Sequence, residues 1–180
     1  MLIKFLKHFF IIFLILFLQI AVIPNLPSVF AQLNLILVMI VFVSVVFQFY
    51  LGVIYAFVWG FVLDIYSALP FGAILISLVI TLYVVYEIFQ RFLTNKSFYT
   101  LLGLVSVATV LFNFFLLVYS ALLFFSASKD MQLIYELALA AVGDIWRHLL
   151  MNLALSSIFF MIFHFSSRRF KAVFIDTTKA

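Results

Sequence analysis

The stretch LGVIYAFVWGFVLDIYSALPFG, Leu51 to Gly72, decides how this chain folds. Asp64 is its one charge, and it is the only charged side chain between Leu33 and Leu82. The apolar runs around it are continuous. A membrane β-barrel strand would alternate apolar and polar residues, so the runs read as helices, whose backbone groups bond within the segment and tolerate hydrocarbon. Gly52, Ala56, Gly60 and Asp64 recur every four residues, and Ala68 continues the series. On a helix that spacing makes one nearly straight stripe. Small residues along a stripe let a second backbone come close, which is how helices associate where lipid removes the hydrophobic drive. The stripe is therefore expected to be a helix-contact face.

Asp64 extends that face. An intramembrane carboxylate is costly unless it faces protein or water. The readings open to it are a proton or ion site, a partner contact, and a polar lock at a helix end. No basic or second acidic side chain shares its segment, which favours the lock. Pro70 and Gly72 follow at once and predict a short turn into the next helix, since Pro suits a first helical turn and Gly permits tight backbone angles.

The rest of the chain has the same character. Hydrophobic residues make up 69% of the 180 positions, charged residues only 9%, and mean hydropathy is +1.39. Soluble domains carry about 25% charged residues. The fold class is thus an all-α integral membrane protein, with a single transmembrane domain over residues 1–180. Cysteine is absent. The three histidines, His8, His148 and His164, form no ligand spacing, so no metal and no cofactor is expected. No GxSxG, HExxH, P-loop or GxGxxG pattern occurs, and no enzyme is expected.

A span needs about 20 apolar residues. The first is read over 5–23. Leu33–Leu69 is too long for one span and divides into 33–47 and 51–68, turning near Gln48–Phe49–Tyr50. Three more follow over 71–89, 99–125 and 145–165. Met131–Gly143 is less apolar and reads either as lying along the interface or as entering the membrane. Lys and Arg favour cytoplasmic loops. With six spans and the N-terminus inside, Lys4, Lys7, Arg91, Lys96, Arg168, Arg169, Lys171 and Lys179 are cytoplasmic, and only Lys129 and Arg147 are outside. Five spans would move Arg91, Lys96 and the basic tail outward. Six short helices with both termini cytoplasmic is the better reading, and it puts Asp64 near the outer end of the third. Val29–Phe30–Ala31 resembles a signal-cleavage site. The apolar run before it exceeds the usual 7 to 15 or so residues, so it is read as a span.

The last span begins with a second polar series, Asp144, His148 and Asn152, with Arg147 beside it. It reads either as an interface-anchored helix start with an acid in its first turn or as a polar cluster near the outer face that binds a ligand or partner. Asp144 and Arg147 can pair as i, i+3 neighbours, and Glu87 and Arg91 as i, i+4 neighbours. Asn113 is expected to bond across helices. Trp59 and Trp146 read as packing or interface residues. Arg168, Arg169 and Lys171 orient the chain and can touch anionic lipid; the run is too short to argue for nucleic acid.

Six short spans with almost no extramembrane chain, and the pattern G-x7-G-x3-D-x5-P-x-G carried by Gly52, Gly60, Asp64, Pro70 and Gly72, resemble the MreD family of rod shape-determining proteins. LQIAVIP, with Gln19 and Pro24, resembles the opening of that family. Leu33–Asn34 departs from the Pro-Asp or Pro-Asn often found where its second span begins. The resemblance implies a non-enzymatic part of the bacterial cell-elongation machinery in the inner membrane, binding MreC and working with MreB, RodZ, RodA and the elongation transpeptidase. The six-span architecture also resembles the substrate-capture subunits of energy-coupling-factor vitamin transporters. On that alternative, Asp64, Asp144, Arg147, His148 and Asn152 would converge on a small molecule near the outer face.

Overall fold

The computed structural model describes residues 2–27, 30–92, 97–128 and 131–166, with side chains described for 10–27, 30–92, 97–122, 139 and 143–162. The described chain is helical and contains no strand. In order, the α-helices are α1 (Leu2–Phe17), α2 (Leu35–Val46), α3 (Phe49–Tyr66), α4 (Ala73–Phe92), α5 (Phe98–Ser128) and α6 (Met131–Ser166). Phe49–Tyr66, Ala73–Phe92, Phe98–Leu122 and Gly143–Ile162 are long and apolar enough to cross a membrane, while Phe10–Asn25 and Leu35–Val46 are shorter apolar helices. With the composition, this makes the chain a membrane protein.

The helices depart from the expected spans in three places. The α2–α3 break lies at Phe47 and the extended Gln48, and the helix resumes at Phe49. The Phe49 ring stacks on Tyr86 with centroids 4.1 Å apart, which draws that residue into α3. Helices α5 and α6 are not short: they have 31 and 36 residues. Met131–Gly143 continues directly into α6, because it lacks proline and is rich in the strong helix formers alanine and leucine.

Helix α2 is the axis of the bundle. Every residue from Leu35 to Val45 is buried, and α2 touches each of the other five α-helices. Its 12 residues rise only about 18 Å. A helix that short, enclosed on all sides, has apolar residues all round instead of one apolar face.

Backbone fit holds α3 in place. A Cβ built on Gly52 would stand 2.8 Å from the Ser44 Cβ of α2, and one on Gly60 would stand 2.8 Å from the Leu75 Cα of α4. Ala56, between them, is fully buried. The small-residue stripe therefore serves two internal contacts, with α2 at one glycine and α4 at the other. Trp59 lies on the same buried side and donates its Nε1–H to the Ile12 carbonyl at 3.1 Å, tying α1 to α3. Trp146 is exposed on α6.

Candidate functional site

The turn after α3 presents a helix N-terminus that lacks a capping side chain of its own. Gly72 precedes α4 with φ at +91°, a backbone that side chains rarely adopt. Its carbonyl accepts the Ile76 N–H at 2.9 Å, and the Pro70 carbonyl accepts the Ala73 N–H at 3.1 Å. The N–H groups of Ile74 and Leu75 stay unpaired by the backbone, as the first turn of any helix leaves them. An N-cap Ser or Asp would normally fill that role. Gly72 has no side chain, and Asp64 supplies the carboxylate from α3 instead.

Its two oxygens accept from Ile74 N at 2.9 Å and from Leu75 N at 3.0 Å. Asp64 is 3% exposed, so both bonds form away from solvent. The carboxylate also sits at the positive end of the α4 dipole, which favours a negative charge. Gly60, one turn earlier, is what brings Leu75 within reach. Spacing, close approach and cap thus form one device, a polar lock joining the end of α3 to the start of α4. Ser67 closes the turn, donating to the Asp64 carbonyl at 3.4 Å and accepting from Leu69 N at 3.3 Å. Tyr119 of α5 reaches the same turn, donating to the Phe71 carbonyl at 3.4 Å.

A second lock lies at the same end of the bundle, where α2 begins. Tight turns make α2, α3 and α4 successive antiparallel neighbours, which puts the start of α2 at the Asp64 end. Leu18–Val22 forms a π-helical turn, followed by short 3-10 turns at Ile23–Asn25 and Phe30–Gln32. From the π-helical turn, Gln19 donates to the Leu33 carbonyl at 3.2 Å and accepts from Leu35 N at 2.8 Å, pairing with the chain as a neighbouring strand would. Asn34 caps α2 with its own side chain, accepting from Leu37 N at 2.9 Å. The Asn152 Oδ1 accepts from Asn34 N at 2.9 Å, and its Nδ2 donates to the Thr109 hydroxyl at 3.1 Å. The His148 Nδ1 donates to the Gln32 carbonyl at 2.9 Å. Irregular backbone at membrane depth is tolerated only where protein or water satisfies it. Here side chains from the π-helical turn, α2 itself and α6 do so.

The polar series of the last span is therefore divided between two tasks. His148 and Asn152 hold the segment entering α2. Asp144 and Arg147 form an exposed pair at 3.4 Å. No described hydrogen bond or ion pair joins Asp64 to any of the four. Asn113 bonds within its own helix, to the Thr109 carbonyl at 2.8 Å, and not across helices as expected. Glu87 and Arg91 pair at 3.1 Å beside a shallow groove of about 390 Å³ lined by Tyr83, Val84, Glu87, Ile88, Arg91 and Phe92. Among the described residues no group of histidines, cysteines or acids is placed to hold a metal. The sequence reading missed three members of the second lock. Asn34 precedes an apolar run, an N-cap signal. Gln19 enters the family resemblance, but nothing local to it or to Thr109 points to a lock, since their partners lie 14 and 16 residues away for Gln19 and 43 for Thr109.

The chain was compared with family models, curated proteins and solved structures. No curated protein and no solved structure matches it. The family model described as rod shape-determining protein MreD matches residues 1–169 of the 180. A match over nearly the whole chain, on a helical membrane protein whose quoted motif forms a single interhelical device, shows that this chain belongs to the MreD family of rod shape-determining proteins.

Proposed function

We propose that this protein is a non-enzymatic component of the bacterial cell-elongation complex, binding MreC and helping to couple MreB filaments to lateral peptidoglycan synthesis. RodZ, RodA and the elongation transpeptidase complete the assembly on this reading. The chain sits in the inner membrane as six spans with both termini cytoplasmic; the basic tail of Arg168, Arg169 and Lys171 lies outside the described residues. The observation that carries the proposal is the family match across residues 1–169. The geometry supports it from a second side. Asp64, His148 and Asn152 are bonded to helix ends of this chain, so three of the five side chains a vitamin-capture site would need are engaged in architecture.

The test is depletion in the native bacterium, with cell width measured as the protein is lost and MreC co-purified from undepleted cells. Rounding cells together with retained MreC are the expected result. Normal width without MreC would sink the proposal, and an ATPase pair recovered in its place would revive the vitamin-transporter alternative.

A further inference from the structure

The α3–α4 face carries a shorter apolar band than an ordinary bilayer core. Tyr50 and Tyr66 are 71% and 70% exposed near the two ends of α3. Tyrosine favours the interface, with its ring in the apolar layer and its hydroxyl in water. The two positions lie about 24 Å apart along the helix at roughly 1.5 Å per residue. On α4 the apolar run from Ala73 ends at Glu87, about 21 Å along by the same rise. The Phe49–Tyr86 stack aligns the two antiparallel helices, so Glu87 lies within about 3 Å of the level of Tyr50. At the other end Phe71 folds back against Phe61, with centroids 5.8 Å apart, and does not lengthen the band. A typical hydrocarbon core is about 30 Å thick. Tilting only shortens the projection of a helix on the membrane normal, so tilt cannot make up this difference. On α5, by contrast, the tyrosines Tyr99 and Tyr119 lie 20 residues apart, about 30 Å, with no charge between them.

We propose that the α3–α4 face is a contact surface for a locally thinned bilayer, so that the protein imposes a step in membrane thickness between this face and the α5 face. This inference takes the helices to span the membrane, as proposed above. The occupant is phospholipid acyl chains held at about 24 Å, the tyrosine separation set by the helical rise. Short apolar segments draw the bilayer down around them because exposed carboxylates and phenols resist entering hydrocarbon. A partner helix fits the face poorly. Gly52 and Gly60 both turn inward, to α2 and α4. What α3 presents outward is the bulk of Phe57, Phe61 and Ile65, which leaves no notch for close backbone approach.

The chain has no cysteine, so single thiols report cleanly. Tyr50→Cys, Phe57→Cys and Tyr66→Cys on α3, with Tyr99→Cys and Leu122→Cys on α5, would be spin-labelled. Each protein would go into vesicles of di-14:1, di-18:1 or di-22:1 phosphatidylcholine. Depth is read from collision with oxygen against collision with a water-soluble nickel chelate. The label at 57 should meet oxygen and exclude nickel throughout. Nickel reaching it would overturn the spanning reading, and the inference with it. The labels at 50 and 66 should stay nickel-accessible at unchanged depth in all three lipids, because the bilayer conforms to the protein. An inward shift of about 3 Å at each end in di-18:1, half the difference between the band and an undeformed core, growing in di-22:1, would overturn the proposal. So would labels at 50 and 66 shielded from both reagents, since that means protein covers the face. The labels at 99 and 122 should stay nickel-accessible in di-14:1 and di-18:1. Burial of either in di-18:1 would remove the step.

Discussion

Replacing Asp64 tests the polar lock most directly. Its two oxygens each accept one buried N–H. Asp64→Leu removes both acceptors and leaves two donors at the start of α4 without partners. Each unsatisfied buried donor costs about 1–3 kcal/mol. Loss of the charge at the helix N-terminus adds roughly 0.5–2 kcal/mol in a partly buried site. Asp64→Leu should therefore destabilise the fold by about 2.5–8 kcal/mol, with the lower end favoured because polar bonds in membranes measure weaker than their burial implies. Asp64→Asn keeps one oxygen for one N–H but sets an amide NH2 against the other. It loses one bond and the charge, so somewhat more than half the cost of leucine is expected, roughly 1.5–5 kcal/mol. The measurement is unfolding by SDS titration in mixed micelles, followed by the fluorescence of buried Trp59 in a Trp146→Phe background. The order expected is Asp above Asn above Leu. Leucine matching the parent would refute the lock. Asparagine as damaging as leucine would refute the bond arithmetic and mean that the charge itself is required.

Gly60→Ala should cost about 1–3 kcal/mol, because the new methyl meets the Leu75 backbone and no rotamer can relieve it; Phe61→Leu, on the exposed side, should be nearly silent in the same titration. Gly52→Ala should be similarly damaging and partly recovered by Ser44→Gly, since the Ser44 Cβ is the nearest obstruction; no recovery in the double variant would remove that account. Asn152→Leu should cost about 1–3 kcal/mol by orphaning the Asn34 N–H, while the Thr109 hydroxyl keeps its own bond to the Val105 carbonyl at 2.8 Å; amide exchange at Asn34 should accelerate with it. Thr81→Val should be neutral or stabilising, because the Thr81 hydroxyl is buried with no hydrogen-bond partner among the described residues and the replacement keeps its shape; a loss above about 1 kcal/mol would refute this.

How much of this was legible in the sequence depended on the range of the interaction. The stripe, the turn at Pro70 and Gly72, and the pairs Glu87–Arg91 and Asp144–Arg147 depend on residues close along the chain, so spacing alone could state them. That Asp64 is costly in an apolar segment was equally plain. Its partner was not, because a backbone N–H leaves no mark in a sequence; the clue was that Gly72 cannot cap the helix it precedes. Spacing also placed Asp144, His148 and Asn152 on one helix face. It could not divide them between a solvent-facing pair and a lock on α2, since that depends on where the segment before α2 passes. The central place of α2 was hidden as well. An enclosed short helix and a lipid-facing one are both apolar all round, and only its 12 residues hint that protein, not lipid, surrounds it.

The two locks bear on how a protein with so little polar surface can determine shape. Both lie at one end of the bundle, and both tie helix starts to side chains from elsewhere in the chain. Lipid gives apolar helices little reason to prefer one packing over another. Directional bonds at the starts of α2 and α4, with the glycine contacts of α3, supply that preference and fix the helices relative to one another. On the proposed reading that the helices span the membrane, a bundle fixed in this way can transmit position from one face to the other. The exposed faces are then free to differ: a short band on α3 and α4, a long one on α5, and charged pairs at Glu87–Arg91 and Asp144–Arg147. If the protein links filament to wall synthesis, it is the rigidity conferred by the locks that the linkage needs. Variants that loosen Asp64 or Asn152 should then widen cells in proportion to their loss of stability, while substitutions of exposed residues such as Phe57 or Ile65, which leave stability intact, leave cell width unchanged.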